Sequence, residues 1–160
     1  MPAPGLRGLH HLKLPVTDLD ASLAWYQRVF DAERQAQFDH LGDNGVRYAV
    51  VLALPGIEVL IELRWAPKAA AATIGYDPVN LAAGDLENLH QWIDHLDALQ
   101  IDHSPIVPAN AGHVIVFQSP DGLYLRLLTL PEGGIQSTEM NRDVPEPQSA
   151  WMAPEIMRHP

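Results

Sequence analysis

The stretch "GLHHLKLPVTDLDASLAWY", residues 8–26, joins an alternating apolar run to a helical one through an Asp-Leu step. Leu12, Leu14 and Val16 recur every second residue and leave His11 and Lys13 on the other face, the period of a half-buried strand. Leu19, Leu23, Tyr26 and Phe30 then recur at helical spacing, and Asp18 stands where a carboxylate can cap the exposed N–H groups of a first turn. The stretch therefore predicts a strand running into a helix.

The same design returns 67 positions later. Leu14 falls on Leu81, Asp18 on Asp85, Leu19 on Leu86, Asp20 on Glu87 and Trp25 on Trp92. The second run, "DPVNLAA", again leads through Asp-Leu into a helical pattern of Leu86, Leu89, Ile93 and Leu96. Three strand-like runs follow each helix: 33–40, 46–54 and 57–64 in the first copy, and 101–107, 113–118 and 123–130 in the second. The turn signals "GDNG", "LPG" and "SPDG" separate them. The expected organisation is a first βαβββ module over 1–66, a linker over 67–74, a second module over 75–130 and a Pro-rich arm over 131–160. The isolated apolar residues of that arm (Ile135, Trp151, Met152, Ile156 and Met157) lack periodicity, so it is either disordered or laid on a neighbouring surface.

Composition narrows the partners. The chain has 160 residues, 47% of them hydrophobic, enough for one sizeable core or two small fused modules. A formal charge of −10 repels phosphate backbones and anionic lipid, which argues against nucleic acid and membrane surfaces and leaves small molecules or proteins. With no cysteine there is neither a disulfide framework nor a thiolate metal site, so a metal would need histidine, carboxylate or water. No segment approaches the roughly 20 apolar residues of a membrane span, and "MPAPGLRG" lacks the apolar core of a signal peptide; the expected compartment is the cytoplasm.

The His-x-x-Leu-x-Val-x-Asp-Leu pattern, the following "SLAWY" helix and the closing "SPDGLYLRLL" resemble the vicinal oxygen chelate superfamily over about residues 8–130. That superfamily includes glyoxalases, bleomycin-resistance and fosfomycin-resistance proteins, epimerases and extradiol dioxygenases. The resemblance implies an α+β fold in which two tandem βαβββ modules form an open, cup-shaped mixed β-barrel with the helices outside. It also implies a homodimer, and in catalytic members one divalent ion held by His, Gln or Glu on the first and last strand of each module.

Carried over residue by residue, the resemblance places His11 and Glu62 at the two metal positions of the first module. The second module has Pro78 and Arg126 there, one without a donor atom and the other cationic, so the expected site is incomplete and no cofactor is expected, a divalent metal remaining the alternative. Substitute ligands would have to come from Asp77, His113 or Tyr124. Strand alternation gives an inward set of His11 and Lys13; Glu58, Leu60, Glu62 and Arg64; Asn80 and Ala82; and Tyr124, Arg126 and Leu128. The opposite faces are almost wholly apolar. So many ionisable groups on one face point to a ligand-filled pocket, with Lys13, Glu58, Arg64, Asn80 and Tyr124 as binding residues and Trp65 either stacking on a ligand at the rim or filling core.

His11, Glu62 and Arg126 are the candidate catalytic residues. Arg126 either replaces the metal as a receptor for a carboxylate or phenolate, or forms a structural ion pair with Glu62. His11 is a general base or a hydrogen-bonded strand residue, and His10 is expected on the opposite face. Two functions follow: sequestration of a small anionic or oxygen-rich molecule, as in bleomycin-resistance proteins, or metal-free proton transfer on such a molecule. The alternative is a metal-dependent lyase, isomerase or dioxygenase using His11 and Glu62.

Overall fold

The computed structural model describes residues 4–141 and divides the chain between Ala72 and Thr73. In the first unit, strand β1 (His11–Val16) leads into helix α1 (Leu19–Phe30). Short strands β2 (Glu33–Arg34) and β3 (His40–Leu41) precede β4 (Arg47–Ala53) and β5 (Leu60–Trp65), and helix α2 (Pro67–Ala72) closes the unit. The sheet order is β1-β5-β4-β2, with β3 also on β4; β1 runs parallel to β5 and the other pairs are antiparallel.

The second unit repeats the pattern. Strand β6 (Val79–Gly84) leads into helix α3 (Leu86–Ala98), followed by β7 (Val107–Pro108), β8 (His113–Gln118) and β9 (Tyr124–Thr129). The order β6-β9-β8-β7 matches the first sheet, with β6 parallel to β9. The α+β class and the two βαβββ modules inferred from the repeat are thus present, with the second strand of the first module split into β2 and β3.

The apolar stripes do the packing. Leu19, Leu23, Tyr26 and Phe30 of α1 are buried with Leu14, Val16, Ile61 and Leu63 of the sheet. In the second unit Leu89 and Leu96 of α3 are buried with Leu125 and Leu127. Each such side chain contributes on the order of 1.5–3 kcal/mol. Both expected caps form: Asp18 accepts from the Ala21 N–H at 3.0 Å, and Asp85 and Asn88 make a reciprocal capping box. Among the described residues no helix is long and apolar enough to cross a membrane.

Three expected strands depart from their sequence runs by more than one residue at an end. The run over 33–40 is interrupted by a 3-10 turn at Ala36–Phe38, which an Arg34–Asp39 ion pair closes from one end to the other. The run over 57–64 starts pairing only at Leu60, because Gly56 (φ 78°) turns the chain and the Ile57 N–H bonds the Leu54 carbonyl. The run over 101–107 is mostly irregular: Pro105 has no N–H, and Ser104 supplies the bonding instead, its hydroxyl accepting from the Val116 N–H and donating to the Pro105 carbonyl. The segment 67–74, expected as linker, contains α2. Of the arm, Trp151, Met152, Ile156 and Met157 lie outside the described residues.

Candidate functional site

Glu62 is the centre of the first unit's polar face. Its residue is 1% exposed, in the middle of β5, with Ile61 and Leu63 turned to the opposite, apolar face. A buried carboxylate needs partners to offset its lost hydration. Arg64, two residues along on the same face, donates Nε–H to Glu62 Oε1 at 2.6 Å. His11 Nε2 lies 3.2 Å from Oε2, and Lys13 Nζ lies 3.9 Å from the same oxygen. The parallel register explains the gathering, because it sets Lys13 beside Glu62 and His11 beside Leu60.

Two further side chains, not among the candidates named from sequence, join from neighbouring strands. His40 on β3 is in register with Ala49 on β4, and Ala49 with Arg64, so the three cross the sheet in a row. Over the small Ala49, Arg64 Nη2 reaches His40 Nδ1 at 3.2 Å. A guanidinium only donates, so this Nδ1 accepts and the His40 proton sits on Nε2. The Arg64 guanidinium also stands 5.1 Å from the Tyr48 ring centroid, a cation–π distance. The alignment of three strands, invisible without the register, makes His40 part of this cluster.

The second unit holds a separate ion pair. Arg126 on β9 donates Nε–H to Asp77 Oδ2, with the two side chains 14% and 17% exposed. Asp77 Oδ1 is buried without a hydrogen-bond partner, and burial pushes this carboxyl above its ordinary value despite the opposing effect of Arg126. Of the other second-module residues, Asn80 is exposed and in register with Arg126, and Tyr124 is half-buried opposite Gln118.

Of the residues named from sequence, His11, Lys13, Glu62 and Arg64 come together. Glu58 does not join them: it lies before β5 begins and is exposed. Trp65 is 58% exposed, so it is not core, and alternation turns it to the face opposite Arg64. His10 is not on the far face. Its Nδ1 lies 2.7 Å from His11 Nδ1, because His10 precedes the first strand residue and the pleat does not constrain it.

Around Glu62 the donors suited to a divalent ion are few. His11 Nε2 and Glu62 Oε2, 3.2 Å apart, have the spacing of two adjacent ligands at roughly 2.1 Å each. No group of three or more His, Asp or Glu side chains among the described residues is arranged to hold a metal. Arg64 and Lys13 put positive charge at 2.6 and 3.9 Å on the same carboxylate, where they compete with a dication. In ligand count and in charge, the described residues do not fit the ion.

A family model described as "Glyoxalase/Bleomycin resistance protein/Dioxygenase superfamily" matches residues 8–127. A mutant of the fosfomycin resistance protein FosX from Listeria monocytogenes, solved with Mn(II) and 1S,2S-dihydroxypropylphosphonic acid, is 21% identical over 78% of this chain and 90% of its own, with a TM-score of 0.60. Lactoylglutathione lyase from Agrobacterium tumefaciens is 18% identical over 79% of this chain and 96% of its own, at 0.60. TnmS3, an antibiotic binding protein from a Streptomyces species, is 18% identical over 79% of this chain and 98% of its own, at 0.63. At these identities the likeness is one of fold. No curated protein matches.

Proposed function

This chain belongs to the Glyoxalase/Bleomycin resistance protein/Dioxygenase superfamily, and we propose that it binds a small anionic or oxygen-rich molecule on the polar strand face around Glu62, without the divalent ion found in FosX. One observation carries this reading. A single buried carboxylate is met by two fixed cations, Arg64 and Lys13, whose side chains are 34% and 53% exposed. The cluster therefore has one surplus positive charge on its solvent side, the charge that a carboxylate, phenolate or phosphonate would neutralise.

The anion is assigned to Lys13 and Arg64 rather than to Arg126, because Asp77 balances Arg126 one to one whereas two cations share Glu62. Binding alone would make the protein a sequestering one; TnmS3 is by its description an antibiotic binding protein. The same residues also suit a metal-free proton transfer in which Glu62 accepts a proton from an acidic C–H or O–H while Lys13 and Arg64 stabilise the developing oxyanion. The assembly proposed is a homodimer in the cytoplasm.

The test is a thermal-shift screen of aryl carboxylates, phenolates and phosphonates, repeated with EDTA. The expected result is a ligand-induced shift that survives EDTA and is lost in Lys13→Ala and Arg64→Met. A second reading, metal-dependent chemistry, is favoured only by the 3.2 Å spacing of His11 and Glu62. It predicts stoichiometric Mn(II) binding by electron paramagnetic resonance, abolished in His11→Ala, and that outcome overturns the metal-free reading.

A further inference from the structure

The contact between the neighbouring histidines has a directional consequence. His11 has a polar neighbour at each ring nitrogen: Nε2 is at ion-pair distance, 3.2 Å, from Glu62 Oε2, and Nδ1 is hydrogen-bonded to His10 Nδ1 at 2.7 Å. An ionised carboxylate only accepts, and Glu62 already accepts from Arg64 at its other oxygen, so the Nε2 proton belongs to His11. A neutral imidazole carries one proton. His11 Nδ1 must then be a lone pair, and the hydrogen bond at 2.7 Å needs His10 to carry its proton on Nδ1.

We propose that His10 is a positioning residue that locks His11 in the Nε2–H tautomer, so that a chain of two donors runs from an exposed imidazole to the buried Glu62 carboxylate. The rings meet edge to face, with centroids 4.9 Å apart and planes at 74°, which directs the His10 edge at its neighbour. Lys13 and Arg64, the other groups on Glu62, are donors as well and cannot reverse the order. The lock decides between roles. With Nε2 protonated, His11 offers no lone pair toward Glu62, so to act there as general base or as ligand to a cation it must first change tautomer, which the His10 donor opposes. Glu62 is left as the group that accepts a proton. This inference goes beyond the proposed ligand and rests on the histidine geometry alone.

The test is nitrogen NMR of the full chain labelled at histidine, recorded well above the ordinary imidazole value of about 6.5 so that the rings are neutral. His10→Ala and His11→Ala variants assign the two rings among the eight histidines. The expected spectrum shows His11 protonated on Nε2 with a bare Nδ1, and His10 protonated on Nδ1. In His10→Ala the two His11 nitrogens should shift toward the averaged values of an exchanging imidazole, and His10→Asn, which restores a donor near the Nδ1 position, should bring back the split pair. Backbone amide spectra identify any variant that has unfolded, and for such a variant the wild-type tautomers decide. An Nδ1–H tautomer for His11 overturns the proposal, as does a His11 signature that stays unchanged in a folded His10→Ala protein.

Discussion

Removing Arg64 should expose the cost of a buried carboxylate. In Arg64→Met the stem's packing is largely kept, and what disappears is the charge-assisted bond to Glu62 at 2.6 Å, the bond to His40 at 3.2 Å and the contact over Tyr48. Charge-assisted bonds contribute about 1.5–3 kcal/mol and an exposed cation–π contact about 0.5–1 kcal/mol. The Arg64 side chain is 34% exposed, so water replaces part of the loss, and His11 and Lys13 stay on the carboxylate. The expected cost is about 2–3 kcal/mol, or roughly 5–10 °C in melting temperature for a chain of this size. Glu62→Met should cost less than the loss of a buried carboxylate's partner, because the freed guanidinium can turn to water. Urea denaturation of both single variants and the double variant closes a cycle, with an expected coupling of about 1.5–2.5 kcal/mol. A single-variant loss under about 0.5 kcal/mol together with an additive double variant would falsify the claim that Arg64 is what makes the burial of Glu62 tolerable.

Two other perturbations test local claims. Asp77 titrates above its reference of 3.8 in the folded chain, chiefly because burial disfavours its charge. A raised folded value makes its stability contribution complete below 3.8 and lost as pH rises through the folded value, so denaturation of wild type against Asp77→Asn should show the wild type relatively most stable in acid; a gap that widens toward neutrality would reverse the assignment. Gly122, in the "SPDG" turn, has φ 83°, and an added Cβ would lie 3.1 Å from Ile74 Cγ1. Gly122→Ala should therefore cost about 1–2 kcal/mol by calorimetry, and a neutral effect would mean the turn relaxes.

The repeat was legible because Leu14, Asp18 and Leu19 recur as Leu81, Asp85 and Leu86, and each trio sits at a strand-to-helix step that only one kind of module satisfies. Strand alternation likewise brought His11, Lys13, Glu62 and Arg64 to one face, since a period of two needs no tertiary information. What stayed hidden depends on residues outside regular strands. Asp77 reaches Arg126 from the segment before Pro78, and His10 reaches His11 from just before β1; at neither place does the pleat dictate direction. His40 was hidden for another reason: its place depends on a register across β3, β4 and β5 that only the assembled sheet sets. Around residues 33–41 the extended run is broken by a 3-10 turn that the Arg34–Asp39 ion pair spans.

The charge on Glu62 can be counted against that of a divalent ion on a single carboxylate. A dication on one carboxylate leaves one surplus positive charge, and so do Lys13 and Arg64 on Glu62. An incoming anion meets the same net charge in both cases, but the two monocations provide no coordination shell and cannot force vicinal oxygens into one geometry. Recognition around Glu62 should therefore be electrostatic rather than chelating. Partly exposed charges are screened over about 10 Å at 0.1 M salt and about 30 Å at 0.01 M. Affinity for a carboxylate or phosphonate, measured by calorimetric titration, should fall severalfold across that range and fall less steeply in Lys13→Ala, which lacks the more exposed of the two cations. An affinity indifferent to salt, or a strict preference for ligands with two adjacent oxygens over singly oxygenated anions, would instead be the mark of chelation and would return the site to a metal.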